Sequence, residues 1–573
     1  MGIKNILSLS GGKDRRPDVV AICVLAGLWI VAAILVNPLG NFPLHDDFIY
    51  GKSVRQLIDT GRFHQPYYGQ MNIIFQIYWG ALFCLPFGFS FTALRMSTLA
   101  LGLLGILATY GLLREIRARP AIALLGAALI ALNPVYLGAA NTFLTDVPFY
   151  SLFVLSLIFF VRGLRLDRPW MFAAGWAAAA AALMIRQFGL VLFIGFGCAY
   201  IFKKGIKLKR IATAVLFVVS GLGLQYFYQV WLRSTGRISA FYGNPLGDIG
   251  KIVNAGVWAY TVTFLKMALV VAIYSGMFLL PFLVLVAYRQ YGSWSGRQRR
   301  WRVGFLVIFT GIMFIGFLRY EIWMPFTNNT MSEIGVGPLL LRDTTFGMTN
   351  LPVPLALRFA WKILTVLGIV GAGLIFEYLF LAARRLFSRS RTSSAPAKWS
   401  VALILVTSFI YFLTILPQTF FDRYLLPLWP LFCVLAVLGS ADAGTERKAR
   451  RIIPVSLILL ILYGLFAVGA THDYLHWNRV RWDALDGLMN SSHVPPNRID
   501  GGMEFNGWYL YKLVYDPKPG KSWWWVAEDD YSIAFGPIPG YQTEKSYRLN
   551  RRLPFGPAQI LVLHKAPTGS LPK

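Results

Sequence analysis

VVAICVLAGLWIVAAILV, residues 19–36, leads within a few residues to HDDFIY, residues 45–50. The first stretch is uninterrupted by charge and long enough to cross a membrane. The second therefore lies at or near a membrane surface, and it carries two adjacent carboxylates, Asp46 and Asp47. Charges at a hydrocarbon boundary are costly and call for a purpose or a partner. A plain alternative is a helix N-cap: either aspartate suits the start of a helix through VRQLIDTG, residues 54–61.

The chain around this pair has 573 residues, 56% of them hydrophobic, and apolar runs of spanning length recur along most of it. The formal charge of +29 would suit nucleic acid if it formed one patch. It sits instead in short clusters in alternate gaps between apolar runs, the positive-inside pattern, which excludes a nucleic-acid partner. Cys23, Cys84, Cys198 and Cys433 all lie in or beside apolar segments, with neither a disulfide framework nor zinc spacing. The N-terminus is basic, and NPLGNFP after the first run offers no small-x-small cleavage site, so an uncleaved anchor with a cytoplasmic N-terminus is expected.

Thirteen spans are predicted, at about 19–36, 91–112, 120–140, 147–163, 170–185, 187–202, 211–232, 262–287, 303–319, 358–383, 399–416, 425–440 and 453–471. Cytoplasmic gaps then hold Arg114, Arg117 and Arg119; Arg162, Arg165 and Arg168; KKGIKLKR; RQYGSWSGRQRRWR; RRLFSRSR; and ERKARR. An odd number of spans puts the C-terminal region outside. The expected fold is a polytopic α-helical membrane protein. Residues 1–472 form the membrane module, and residues 473–573 form a small extracytoplasmic α+β domain.

The first outer gap, 37–90, combines HDDFIY, an amphipathic helix and GRFHQPYYGQMNIIFQIYWGALF, whose Tyr67, Tyr68, Phe75, Tyr78 and Trp79 suit the membrane interface rather than a span. The second is NTFLTDVP with Asp146, and the third is a turn, MIRQFG, with Arg186. A loop over 320–357 carries Glu321, Glu333, Arg342 and Asp343, and loops of that length are often lids or binding loops. QTFFDRYLLP supplies Asp422 and Arg423. Beyond His472 the pattern changes: VRWDALDGLM reads as a short helix, and RIDGGMEF, GWYLYKLVY, WWWVAEDDYSIAF and AQILVLHK read as strands between Gly/Pro turns.

Asp46, Asp47, Asp146, Arg186, Arg342, Asp422 and Arg423 thus converge on one face. Acids can take a proton from an attacking hydroxyl. Arginines can hold a phosphate oxyanion in bidentate geometry without a metal. A substrate with a lipid tail and a phosphate head would suit them. The same groups could equally form structural salt bridges, with Asp146 an N-cap after Thr145.

The acidic pair with Tyr50, the helix ending in Thr60-Gly61 and SFTALRMSTLALGLLGILATYGLLRE together resemble the start of the GT-C glycosyltransferases. The similarity is greatest to the protein mannosyltransferase and lipid A aminoarabinose transferase superfamily. NTFLTDVPFYSLFVLSLIFFVRGLR resembles that superfamily's second outer loop and following span, and FDRYLLPLWPLF its late Arg-Tyr-x-x-Pro-x-x-Pro element. The resemblance implies a membrane enzyme that moves a sugar from a polyprenyl-phosphate donor to an extracytoplasmic acceptor. It maps a base or acceptor-orienting acid onto Asp46 or Asp47, with Asp46 preferred, and a second acid onto Asp146. Arg186 stands where the aminoarabinose enzymes usually have Lys, and it shares the donor phosphate with Arg423 and Arg342. Tyr50, His64 and Tyr424 are the candidate acceptor or sugar-pocket residues.

His472 and His476 have i, i+4 spacing but lack an evident third ligand, so no metal site is assigned. A divalent cation between Asp46 and Asp146 stays open, since related oligosaccharyltransferases use one. The competing class is a transporter or flippase of lipid-linked sugar. Such proteins usually carry their charges at mid-membrane on broken helices in repeated halves. This sequence shows no halves.

Overall fold

The computed structural model describes residues 16–566 apart from 67–68, 240–241, 243–256, 292–293, 322, 328, 349–350, 388–396, 417–420, 441–450, 513–514, 517–518, 523 and 527. The basic N-terminal segment, Tyr67, Tyr68, most of ERKARR and the end of RRLFSRSR lie outside the described residues. Among the described residues, eleven helices are long and apolar enough to cross a membrane, from Arg16–Val36 to Ile453–Ser491. A twelfth span results if Pro120–Ala131 and Pro134–Ala140, bent by 59°, are taken together. The bend falls where Pro134 has no N–H to give, and the Asn133 side chain caps the second piece by accepting from the Val135 and Tyr136 N–H groups. The remaining expected span, at 170–185, is the helix Pro169–Leu183, whose 15 residues fall short of the roughly 20 that a perpendicular crossing needs.

In the first outer gap a helix runs over Asp47–Thr60 and stops at Gly61, whose φ of +67° and N–H bond to the Leu57 carbonyl form a left-handed C-cap. The second helix, Ile74–Cys84, has 11 residues and is about 16 Å long, too short to cross. Gln76 fastens it by donating to the Phe143 carbonyl at 2.6 Å. Arg95, fully buried at the start of the helix Phe91–Glu115, donates to the carbonyls of Pro38, Gly40 and Phe42 and so gathers the chain leading into HDDFIY.

The last long helix, Ile453–Asp486, has 34 residues, about 51 Å, and outruns a hydrocarbon core of about 30 Å. VRWDALDGLM is the end of this helix and not a separate one, and the expected boundary at 472/473 falls inside it without a break. Beyond it lies a four-stranded sheet of β3 (Ile499–Asp500), β4 (Tyr531–Ala534), β5 (Tyr541–Arg548) and β6 (Gln559–Lys565), in the order β3-β4-β6-β5. β3 runs parallel to β4 and the other pairs are antiparallel. A small hairpin of β1 (Met331–Ser332) and β2 (Gly335–Val336) precedes it in the 320–357 loop.

GWYLYKLVY does not open as a strand: Met503–Leu510 is a helix. Its aromatics work at helical spacing, with Phe505 against Tyr509 at 4.9 Å, while Trp508 packs on Phe89 and Phe91 at 5.9 and 5.1 Å. A Cβ at Gly507 would lie 2.3 Å from the Phe48 ring, so only glycine lets this helix sit down on the first outer gap.

Candidate active site

Asp46 stands at the N-cap position of the helix Asp47–Thr60 but makes no side-chain cap bond. Its carboxylate turns instead to His45 Nδ1 at 3.0 Å and to Arg423 Nη2 at 3.3 Å. Asp47 turns the other way. It is buried and accepts from the Leu44 N–H at 3.3 Å and the Phe143 N–H at 2.7 Å, tying the first outer gap to the second. Adjacent residues at a helix start point in different directions, so one aspartate serves the cluster and the other the scaffold.

Arg423 lies in the 3-10 turn Asp422–Leu425. Its Nε is 3.4 Å from Asp146, its Nη1 donates to His45 Nε2 at 3.1 Å, and its Nη2 reaches Asp46. The Asp46 backbone N–H also points at His45 Nδ1, at 2.9 Å. Arg186 completes the group. Its Nη2 lies 2.8 Å from Asp146, its Nε donates to Thr145 Oγ1 at 2.8 Å, and its guanidinium sits 4.7 Å from the Tyr424 ring. The side chains of Arg186, Arg423 and Asp146 are 2%, 4% and 1% exposed, against 24% for Asp46. Of the two carboxylates that Arg423 touches, Asp46 is the more open.

Burial alone would raise both acids of the pair. For Asp46, the charge and hydrogen bond of His45 and then those of Arg423 win, and the carboxyl is held well below the usual range. For Asp47 burial wins over Arg95 and the two backbone donors, and the carboxyl is pushed up to about 7. Tyr50 is buried, with Asp46, Arg423, Arg186 and Asp146 all in its electrostatic surroundings.

The structure does not bring every expected residue to this cluster. Arg342 is not brought to Arg186 and Arg423. Its Nη1 donates to Asp529 and Tyr541 at 2.7 Å each and its Nη2 to the Gly520 carbonyl at 2.6 Å, binding the 320–357 loop to the C-terminal region. Asp422, expected with the cluster, accepts from the Thr330 and Met331 N–H groups and holds that loop from the other side. With Asp343 accepting from Phe535 and Gly536 as well, the loop is a strut rather than a lid. His64 also lies apart, hydrogen-bonded to Gln56 at 3.2 Å along the helix.

Sequence reading assigned no role to His45, Glu504 or Arg481. His45 adopts a φ of +55° and donates its N–H to Glu504 at 3.1 Å, while the fully buried Arg481 grips Glu504 with both Nη atoms at 3.1 Å. Only His45, next to the acidic pair, carried a local signal. Among the described residues no group of three His, Cys, Asp or Glu side chains is placed to hold a metal. The interval between Asp46 and Asp146 is filled by the Arg423 guanidinium, so a divalent cation does not fit there without displacing it.

No curated protein matches the chain by sequence. Similar solved structures include the Saccharomyces cerevisiae protein O-mannosyltransferase Pmt1-Pmt2 complex bound to its sugar donor, at 17% identity and TM-score 0.33 over 40% of this chain and 35% of that one. The chain thus spans about a third of that yeast protein's length. ArnT from Cupriavidus metallidurans in the apo state is similar at 16% identity and TM-score 0.38, over 95% and 97% of the two chains. The Archaeoglobus fulgidus oligosaccharyltransferase complex with Zn and sulfate is similar at 14% and 0.43, over 88% and 61%. These superpositions are too loose to carry residue roles across. Residues 75–232 match the family model described as dolichyl-phosphate-mannose-protein mannosyltransferase. The segment that supplies Asp146 and Arg186 lies within that match.

Proposed function

We propose that the protein is a GT-C-type glycosyltransferase of the cytoplasmic membrane that takes a sugar from a polyprenyl-phosphate carrier and passes it to an extracytoplasmic acceptor. One observation carries this reading: two arginines from different loops share the buried Asp146, and the more open Asp46 touches one of them. In the reaction an acceptor hydroxyl attacks the anomeric carbon and gives its proton to Asp46 as the bond from that carbon to the phosphate oxygen breaks. The charge left on the polyprenyl phosphate falls to Arg186 and Arg423, whose planar donors suit phosphate. A phosphate joining Arg423 takes up part of the field that now holds Asp46 ionised, and so makes Asp46 a stronger base when the donor is bound. Asp146 keeps the two guanidinium groups apart and oriented. Tyr50 and Tyr424 border the sugar, and residues 473–573, with the active site, face away from the cytoplasm.

The test is sugar transfer by purified protein in detergent micelles, supplied with polyprenyl-phosphate sugars and a crude outer-surface acceptor extract. Product supports the reading, because a transporter gives no vectorial signal without a sealed compartment. No product from any donor, together with no polyprenyl-phosphate sugar among the co-purifying lipids, overturns it. Reporters fused after Lys573 and within KKGIKLKR test the orientation, the first expected external and the second cytoplasmic.

A further inference from the structure

A cavity of about 380 Å³ runs along the same helix that begins beside Asp46. Lys52, Gln56, His64, Arg237 and Tyr511 of the C-terminal region are among its lining residues. Among the described residues its wall holds two cations and a histidine and neither Asp nor Glu. Lys52 Nζ donates to the Gly507 carbonyl at 2.9 Å and lies 5.9 and 5.4 Å from the Trp508 and Tyr511 rings, a setting that steers the ammonium without neutralising it. Burial lowers this ammonium to about 8, so it has lost water that an anion would replace. The Arg237 guanidinium lies over the Trp231 ring at 5.2 Å, a contact that helps hold it in place. Two cations lining one volume, with no acid among its described lining residues, suit an oxyanion.

We propose that this cavity binds an anionic group of the acceptor, a phosphate or carboxylate, through Lys52 and Arg237, and so presents the acceptor's hydroxyl to Asp46. The proposal rests on the transferase reading for the word acceptor, though not for the anion site itself. Lys52 is six residues along the helix from Asp46, an axial distance of about 9 Å. An acceptor gripped there reaches the carboxylate with the part that lies between its anionic group and the hydroxyl. Donor and acceptor phosphates are then kept apart, the first on Arg186 and Arg423 and the second on Lys52 and Arg237.

The experiment measures binding of fluorescent phosphatidic acid to the full chain in micelles, against fluorescent phosphatidylcholine, with inorganic phosphate as competitor. Arg237→Gln and Lys52→Gln should each weaken the phosphatidic acid component by about 10- to 100-fold, the value of a charge-assisted contact, and Lys52→Arg should restore it. Arg237→Gln guards against misfolding, since Lys52→Gln also loses the bond to Gly507. Phosphatidic acid binding far more tightly than inorganic phosphate assigns a lipid headgroup, and equal competition assigns a soluble phosphate; both support the site. In the transfer assay the same variants should raise the acceptor KM and leave the donor KM in place. Unchanged binding in both Gln variants overturns the proposal, as does an unchanged acceptor KM where transfer occurs. Binding that depends on Lys52 and Arg237 without any transfer keeps the anion site and discards the transferase.

Discussion

Two buried arginine sites in this protein look alike in composition and differ in what they leave available. Arg342 donates to the Asp529 carboxylate, the Tyr541 hydroxyl and the Gly520 carbonyl, all from the C-terminal region and all fixed. Lys521 and Lys565 add to Asp529 at 3.5 and 3.1 Å. Burial would raise that carboxyl, but Lys565 and Arg342 outweigh it and hold it below the usual range. Arg423 instead divides its donors among Asp46, Asp146 and His45, and Asp46 is the one partly open partner. Arg186 shares Asp146 with it. The first site closes on itself and joins two parts of the chain. The second holds guanidinium groups beside a carboxylate that stays partly open. Buried ion pairs by themselves say little about function; access to one partner distinguishes these two.

The comparison breaks first at Asp46. Asp46→Asn should lower transfer by about 10²–10⁴-fold, the range for losing a general base, with folding preserved. Arg423→Ala should cost about 10²–10³-fold, with Arg423→Lys recovering part of it, because an ammonium lacks the bidentate fork. Arg342→Ala should instead destabilise the protein by about 3–5 kcal/mol, the cost of breaking a buried pair, read as faster proteolysis of the C-terminal region. If Arg342→Ala abolished turnover while that region stayed protease-resistant, the two sites would not differ as described. Arg186→Lys should be milder than Arg423→Lys, since Asp146 and Thr145 still hold the side chain from one side.

The smallest effect sharpens the contrast within HDDFIY. Asp47 is raised from 3.8 to about 7 on folding. The folded protein therefore keeps a proton that the unfolded chain has already released, and the stability this gives is complete below about pH 4 and lost as pH climbs through 7. Asp47→Asn keeps one acceptor oxygen, enough for one of the Leu44 and Phe143 N–H groups, and removes the titration. Its apparent melting temperature should change less between pH 5 and 8 than that of the unaltered protein. An equal slope in both would mean that Asp47 does not titrate in that window.

The spans were legible because each is decided locally, by an apolar run of sufficient length between charged ends. Pro120, Pro134 and Pro169 likewise mark helix starts that any context would respect. Pro169–Leu183 shows the limit, since hydropathy found the segment but not how few of its residues are helical. The helix Met503–Leu510 was misread because Phe, Trp and Tyr serve a strand or a helix equally well, and its docking on Phe48 and Phe91 decided between them.

The sequence by itself determined that Asp46, Asp47, Asp146, Arg186 and Arg423 lie near one level of a polytopic helical protein. Span length and charge alternation settle that without reference to any distant contact. Only the tertiary structure decided that Asp46 meets Arg423 while Asp47 meets Phe143, and that Arg342 belongs to Asp529, 187 residues away. A side chain's partner depends on which distant segments the packed helices bring together, and neighbouring residues at a helix start can face opposite partners. Hydropathy is a property of a window, and a hydrogen bond is a property of a fold.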